Sequence, residues 1–176
     1  TRNESSAASD VYKRQHLTEA DWEILQDERC SVAFCPSSNL FLGSGLFDLP
    51  RLQFADVKVG IGTDIGAGTS LSMLQTIADA YKTQRLAGND LSPLSGLYMA
   101  TLGGAKSLDC DADIGNFKIG KEADFTVLDP ESTPLMSYRM QNCKSLEERL
   151  AVIVLLGDDR AISATYANGH CVHDRD

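Results

Sequence analysis

The chain has 176 residues, 43% of them hydrophobic, which suits a folded domain with a core and excludes a disordered chain. Its formal net charge of −9 argues against nucleic acid or an anionic membrane as the main partner, because both bind basic surfaces. No apolar run reaches the roughly 18 residues of a membrane span, and the N-terminus has no apolar signal core. These features predict a soluble, cytoplasmic protein that acts on a small molecule.

The cysteines and the N-terminal residues are the least informative parts of the chain. Five scattered cysteines without a Cys-x-x-Cys pair predict reduced, mostly buried thiols rather than disulfides or a structural zinc site. Residues 1–15 are polar and lack periodicity, which predicts a disordered leader. The string DVYKRQ at residues 10–15 is similar to translated adapter sequence, so a non-native head is a second interpretation.

Helices and strands alternate from His16 to residue 108. Thr18 and Asp21 form a capping box that predicts a helix to about residue 27. Residues 31–35 are apolar and stop at a proline, as in a buried strand. A loop and a short helix follow, to residue 52, and then a second strand that ends at Asp64.

Two amphipathic helices come next in the chain. The first has apolar residues at the i, i+3, i+4, i+7 spacing, namely Leu74, Ile77, Ala78 and Tyr81. The second opens at Ser92 and Pro93 and aligns one face over residues 94–105. Both helices are predicted to cover the sheet.

Residues 109–176 predict a separate β-rich segment with one helix. Two strands are expected at residues 115–120 and 123–128. Ser145 begins a capping box, which predicts a helix that ends at Gly157. The Asn168-Gly169 pair lies between apolar runs and predicts a terminal hairpin.

The string GTDIGAGT at residues 62–69 is the strongest sign of chemistry. It places Asp64 where a buried strand enters a glycine-rich loop, and barrel enzymes carry their reacting residues at such points. A turn or helix-capping aspartate is the alternative interpretation. Other polar groups are assigned structural roles: a turn at residues 36–39, an ion pair at residues 158–160, and His170 and His173, which point to opposite faces of a strand.

Three strings occur in order along the chain: CPSSNLFLGSG at residues 35–45, GTDIGAGT at residues 62–69, and GNF followed by GKEADF within residues 115–125. Together they resemble the C-terminal part of the guanine deaminase family, in the metal-dependent amidohydrolase superfamily. The resemblance implies an α/β fold, with residues 16–108 as the C-terminal part of a (β/α)8 TIM-like barrel. Residues 109–176 are then part of a small β-sandwich.

The resemblance also implies a reaction and its residues. Asp64 would close the eighth strand, bind Zn²⁺ and take a proton from the water that attacks guanine, giving xanthine and ammonia. His16 matches the second histidine of a His-x-x-His-Leu stretch and is assigned to substrate binding, whereas the first histidine is replaced by Lys13. A homodimer is expected for the full-length enzyme.

The number of metal ligands sets a limit on this interpretation. A catalytic zinc needs about three protein ligands and a complete barrel about 250 residues, whereas this chain offers Asp64 as its one credible ligand. We therefore expect a fragment that is inactive alone. Two alternatives stay open: a non-catalytic binding or interaction domain on the same scaffold, and a related amidohydrolase that deaminates another nucleobase or a triazine.

Overall fold

The computed structural model describes residues 19–25 and 30–175 as a mixed α/β arrangement. The elements follow in this order: α1 Glu19–Leu25, β1 Ser31–Phe34, α2 Pro36–Phe41, α3 Leu49–Phe54, β2 Lys58–Ile61, α4 Met73–Leu86, α5 Pro93–Ala100, α6 Leu102–Ser107, β3 Phe125–Leu128, α7 Pro134–Met140, α8 Leu146–Leu156, a 3₁₀ turn Asp159–Ala161, β4 Ile162–Ala167 and β5 His170–Asp174. No helix within the two described ranges is long and apolar enough to cross a membrane. The predicted leader and His16 lie outside the described residues.

Strands β1 and β2 form a parallel pair that sets the position of the site. Phe34 lies opposite Ile61 in the register, and helices α2 and α3 connect the two strands. Parallel strands need such a crossover connection, whereas antiparallel strands can be joined by a tight turn. Because both strands run in the same direction, the loops that follow Phe34 and Ile61 emerge at the same edge of the sheet.

The main core surrounds these two strands. The ring of Phe34, 1% exposed, stacks on Phe47 with 4.4 Å between ring centroids. The side-chain amide of the fully buried Gln84 in α4 donates a hydrogen bond to the Phe47 carbonyl oxygen at 2.9 Å. This bond connects α4 to the loop between α2 and α3. Ile77 of α4 and Val154 of α8 belong to the same core. Helix α8 therefore contributes to the core that surrounds the parallel strands.

The prediction of one continuous helix over residues 94–105 was wrong. Thr101, with φ −125° and ψ −102°, separates α5 from α6. The break accompanies a close approach of α6 to β2, where a Cβ built on Gly60 would lie 3.2 Å from the Cα of Gly104. Leu94 was predicted on the buried face but is 64% exposed. Backbone contact through glycines, rather than the periodicity of apolar residues, orients this part of the chain.

Helices α4 and α5 also meet at a glycine, which leads to a prediction on stability. Gly96→Ala is expected to lower the free energy of unfolding by about 1–3 kcal/mol, because the new Cβ would lie 2.4 Å from Ile77 Cγ2. In an Ile77→Ala background, which removes that methyl group, the further loss from Gly96→Ala should be clearly smaller. Urea unfolding of the four proteins measures this coupling, and additive losses would contradict the helix contact.

Residues 109–140 depart from prediction in two ways. The strand expected at residues 115–120 is a set of turns, in which Gly115 and Gly120 have φ values of 95° and 97°. These values lie outside the strand region, and Ile119 is fully exposed. In addition, α7 begins after Thr133, whose hydroxyl oxygen accepts from Met136 N. Residues 109–176 therefore hold two α-helices, α7 and α8, where the sequence predicted one.

The last part of the chain agrees with prediction. Ser145 Oγ accepts a hydrogen bond from Glu148 N at the start of α8, and the helix ends before Gly157. Strands β3, β4 and β5 form an antiparallel sheet in that order. Asn168 and Gly169, with φ values of 47° and 75°, make the predicted hairpin turn between β4 and β5.

Candidate functional site

Asp64 lies in the loop after β2, at the shared edge of the parallel strands. The strand ends at Ile61, three residues earlier than predicted, so the loop rather than the strand orients the carboxylate. Asp64 is exposed and has a φ of 47°, in the left-handed region that aspartate visits more readily than most residues. Such a backbone conformation persists where the surrounding contacts stabilise it.

A glycine closes the Asp64 loop. Gly68 N donates to the Asp64 carbonyl oxygen at 2.6 Å, and an isolated bridge joins Ile65 to Gly68. A Cβ on Gly68 would lie 1.8 Å from the Thr63 carbonyl oxygen, which is far inside van der Waals contact. The loop in this form therefore accepts only glycine at this position.

Ser38, in helix α2 after β1, holds the Asp64 side chain. Its Oγ donates to Asp64 Oδ2 at 2.7 Å, and Ser38 itself is 2% exposed. The sequence interpretation assigned residues 36–39 to shaping a turn and missed this contact. The signal was the Pro-Ser-Ser-Asn string after β1, because side chains that follow neighbouring parallel strands are brought together at one edge.

Three other polar atoms in the α2 region are buried without a hydrogen bond from any described residue. They are Ser37 Oγ, Asn39 Nδ2 and Ser44 Oγ. A buried polar atom without a partner costs about 1–3 kcal/mol of stability. Within the described residues these three atoms are unengaged, whereas the buried Ser38 Oγ is engaged with Asp64.

Cys35 lies between β1 and α2, and its thiol is neutral. Burial, and after it the negative charge of Asp64, raise the pKa of the Cys35 thiol to about 11, against a smaller opposing effect of a hydrogen bond with the Gly62 backbone. Cys35 is 4% exposed, and a Cβ on Gly62 would lie 3.3 Å from its Sγ. The thiolate, which is the nucleophilic form, is therefore scarce at neutral pH.

The raised pKa predicts slow alkylation of Cys35. At pH 8 a thiol whose pKa is about 11 is ionised to about one part in a thousand, and burial slows the reaction further. Iodoacetamide should label the exposed Cys171 at least about 100-fold faster than Cys35, as measured by mass spectrometry of the peptides. Equal rates would show that the loop opens readily. Unfolding the chain in urea should remove the difference between the two cysteines.

The described residues do not form a complete metal site by themselves. Within residues 19–25 and 30–175 there is no group of three or more His, Cys, Asp or Glu side chains that could hold a metal ion. Asp64 has the donor chemistry for one position, because it is an exposed carboxylate with one oxygen engaged by Ser38. A zinc site with three protein ligands that included Asp64 would take at least one of them from outside the described residues.

The other candidates have simpler roles. Asp158 and Arg160 form the predicted local ion pair, 2.7 Å apart, which holds the pKa of the Asp158 carboxyl below its ordinary value. His170 and His173 are exposed on β5. The five cysteines are free thiols, but Cys35 alone among them is buried, so the prediction of mostly buried thiols was wrong.

The fold and the placement of Asp64 point to a class of protein. Two parallel strands with covering helices, and a carboxylate in the loop at their carboxyl edge, match the arrangement in α/β enzymes of the barrel type. The sequence profile of the amidohydrolase family matches residues 10–172. The chain belongs to the amidohydrolase family.

Individual relatives narrow the comparison to guanine deaminases. The chain is 54% identical over 160 residues to the guanine deaminase of Escherichia coli strain K12, which covers 91% of this chain and 36% of that enzyme. The solved structure of the E. coli guanine deaminase superposes with a TM-score of 0.88 over 92% of this chain and 38% of that chain. The chain thus spans about a third of the length of the curated relatives that it matches.

Two further similar structures contain ligands. A guanine deaminase from C. acetobutylicum with guanine bound in the active site is 27% identical, with a TM-score of 0.75, over 90% of this chain and 37% of that chain. An adenosine deaminase from Xanthomonas campestris with bound zinc is 29% identical, with a TM-score of 0.73, over 89% of this chain and 35% of that chain. The resemblance to guanine deaminases expected from the three sequence strings is confirmed.

Proposed function

We propose that this chain supplies part of a zinc-dependent guanine deaminase, which hydrolyses guanine to xanthine and ammonia, and that Asp64 is its reacting carboxylate. The observation that carries the proposal is the position of Asp64, hydrogen-bonded to Ser38 at the carboxyl edge of two parallel strands. The 54% identity to the E. coli guanine deaminase supports guanine as the substrate. The adenosine deaminase with bound zinc supports the metal.

The fold has a corresponding place in such an enzyme. Strands β1 and β2 would be the seventh and eighth strands of a (β/α)8 barrel, and β3 to β5 would belong to a small β-sandwich. The parallel register of the first pair and the antiparallel order of the second sheet support this division. In barrel enzymes the loops at the carboxyl ends of the strands carry the reacting residues, which agrees with the position of Asp64.

The chemistry proposed for Asp64 is proton transfer. Bound zinc would lower the pKa of its water towards about 7. The Asp64 carboxylate would accept a proton from the attacking water, whose oxygen bonds to the guanine carbon that carries the exocyclic amine. The proton taken up by Asp64 would pass to the exocyclic amine nitrogen, the bond from that carbon to the nitrogen would break, ammonia would leave, and xanthine would remain. His16 stays a predicted substrate contact, and the homodimer and the cytoplasmic location stay predictions.

The activity is proposed for the complete site rather than for this chain alone. Because the described residues hold no group of three or more His, Cys, Asp or Glu side chains that could bind a metal ion, we propose that the chain by itself does not deaminate guanine. The same observation favours the second candidate, a non-catalytic binding domain on this scaffold. The two proposals differ in whether Asp64 reacts when the missing ligands are supplied.

A chimera separates the two proposals. In the chimera, this chain replaces the matching 160 residues of the E. coli guanine deaminase. The rest of the chimera is the unchanged sequence of that enzyme. We expect the chimera to convert guanine to xanthine and to prefer guanine over adenine, cytosine and melamine. The reaction is measured by the change in ultraviolet absorbance and by the release of ammonia. A folded chimera that binds zinc but releases no ammonia from guanine would favour the non-catalytic domain.

A further inference from the structure

Ser38 differs from its neighbours in what its side chain reaches. It lies in α2, immediately after β1, and is 2% exposed. Its Oγ donates to Asp64 Oδ2 at 2.7 Å across a gap of 26 residues in sequence. A short hydrogen bond from a buried hydroxyl to a carboxylate is stronger than one between neutral groups. The contact links the two loops that follow the parallel strands.

The Asp64 carboxylate is held at both ends of the residue. Gly68 N fixes the backbone through the Asp64 carbonyl oxygen at 2.6 Å, and Ser38 fixes the side chain through Oδ2. Among the residues that the structure describes, Ser38 donates a side-chain hydrogen bond to this carboxylate. Because one oxygen is engaged, rotation of the carboxylate is restricted and Oδ1 stays available for other partners.

We propose that Ser38 is a positioning residue for the deamination, whose hydroxyl holds the Asp64 carboxylate in the orientation from which it accepts a proton. The inference rests on the proposed function of Asp64. In this proposal Ser38 acts through its hydrogen bond to Asp64. Preorganised groups lower a barrier because their orientation is set before the reaction, and a small misplacement can lower a rate by about 100-fold.

Ser37 provides a matched control within the same turn. It is the adjacent residue, has the same side chain and is 7% exposed. Its Oγ has no hydrogen bond from the part of the chain that the structure describes. Ser37→Ala and Ser38→Ala therefore remove the same atom from nearly the same buried environment. They differ in that Ser38 contacts Asp64.

The first test uses the chain itself and does not depend on catalysis. The aspartate carboxyl carbons are labelled with carbon-13 and observed by NMR. The carboxyl signal of Asp64 is assigned because it is absent from the spectrum of Asp64→Asn. Ser38→Ala should shift this signal, Ser38→Thr should restore it, and Ser37→Ala should leave it unchanged. Ser38→Cys keeps a similar shape with a weaker donor, so it serves if the alanine variant does not fold. An unchanged Asp64 signal in folded Ser38→Ala or Ser38→Cys would overturn the proposal.

The second test measures the reaction in the chimera. Ser38→Ala should lower kcat for guanine by about 10- to 100-fold with little change in KM, and Ser38→Thr should recover most of the loss. Ser37→Ala should change kcat less than about threefold. Equal losses of kcat from Ser37→Ala and Ser38→Ala would indicate a purely structural role and overturn the proposal.

The outcomes separate this inference from the function on which it rests. If the wild-type chimera binds zinc but does not deaminate guanine, the proposed function fails. The Ser38 contact is then judged from the Asp64 carboxyl signal and from zinc affinity, measured by competition with a coloured chelator. A weaker zinc affinity in Ser38→Ala than in Ser37→Ala supports the positioning role, and equal affinities with an unshifted signal overturn it.

Discussion

Asp64→Asn is expected to lower kcat/KM for guanine by about 100- to 10,000-fold in the chimera, because it removes the proton-accepting carboxylate while keeping the size of the side chain. Asparagine also tolerates the φ of 47° at this position, so the fold should be retained. The loss should appear in kcat, since an interaction made during proton transfer acts mainly on the transition state. Initial rates over a range of guanine concentrations measure it.

Asp56 gives a matched control for this substitution. It is an exposed aspartate with a φ of 56°, and it lies just before β2, whereas Asp64 lies after the same strand. Asp56→Asn should leave kcat/KM within about twofold of the parent, because surface substitutions far from the site have small effects. If Asp64→Asn and Asp56→Asn were equally active, Asp64 would be a turn aspartate, as in the alternative interpretation of the sequence.

Gly68→Ala is expected to displace Asp64 and lower kcat/KM for guanine by about 100-fold. The added Cβ would lie 1.8 Å from the Thr63 carbonyl oxygen and 2.9 Å from that of Asp64, so the backbone must move. The hydrogen bond from Gly68 N to the Asp64 carbonyl oxygen is then lost or lengthened. Kinetics of the chimera and the Asp64 carboxyl signal of the isolated chain report this displacement.

Gly66 is the control for Gly68, because it lies in the same loop. A Cβ on Gly66 has no atom within 4 Å, but the φ of 123° disfavours alanine. Gly66→Ala should therefore cost about 1–2 kcal/mol of local strain, without a direct collision with the Asp64 backbone. The activity of Gly66→Ala should exceed that of Gly68→Ala by about tenfold or more. The reverse order would show that backbone conformation, rather than close approach, sets the loop.

Local sequence signals predicted the elements whose stability depends on neighbouring residues. The capping serine of α8 and the Asn168-Gly169 turn have short-range partners, and both are confirmed. The α4 helix is also confirmed, with the predicted Ile77 buried. The three family strings indicated the relationship to guanine deaminases and the loop that carries Asp64. Hydrogen bonds in turns and caps join residues a few positions apart, so sequence patterns record them.

Contacts between distant segments account for what the patterns did not predict. The break at Thr101 accompanies the approach of Gly104 to Gly60, and neither glycine shows this in the periodicity of its own segment. The hydrogen bond from Ser38 to Asp64 joins residues that lie far apart in the chain. Residue type and spacing located Asp64, the carboxylate that is proposed to react. Its orientation, and the partner that holds it, come from the packing of two parallel strands, because that packing brings their loops together.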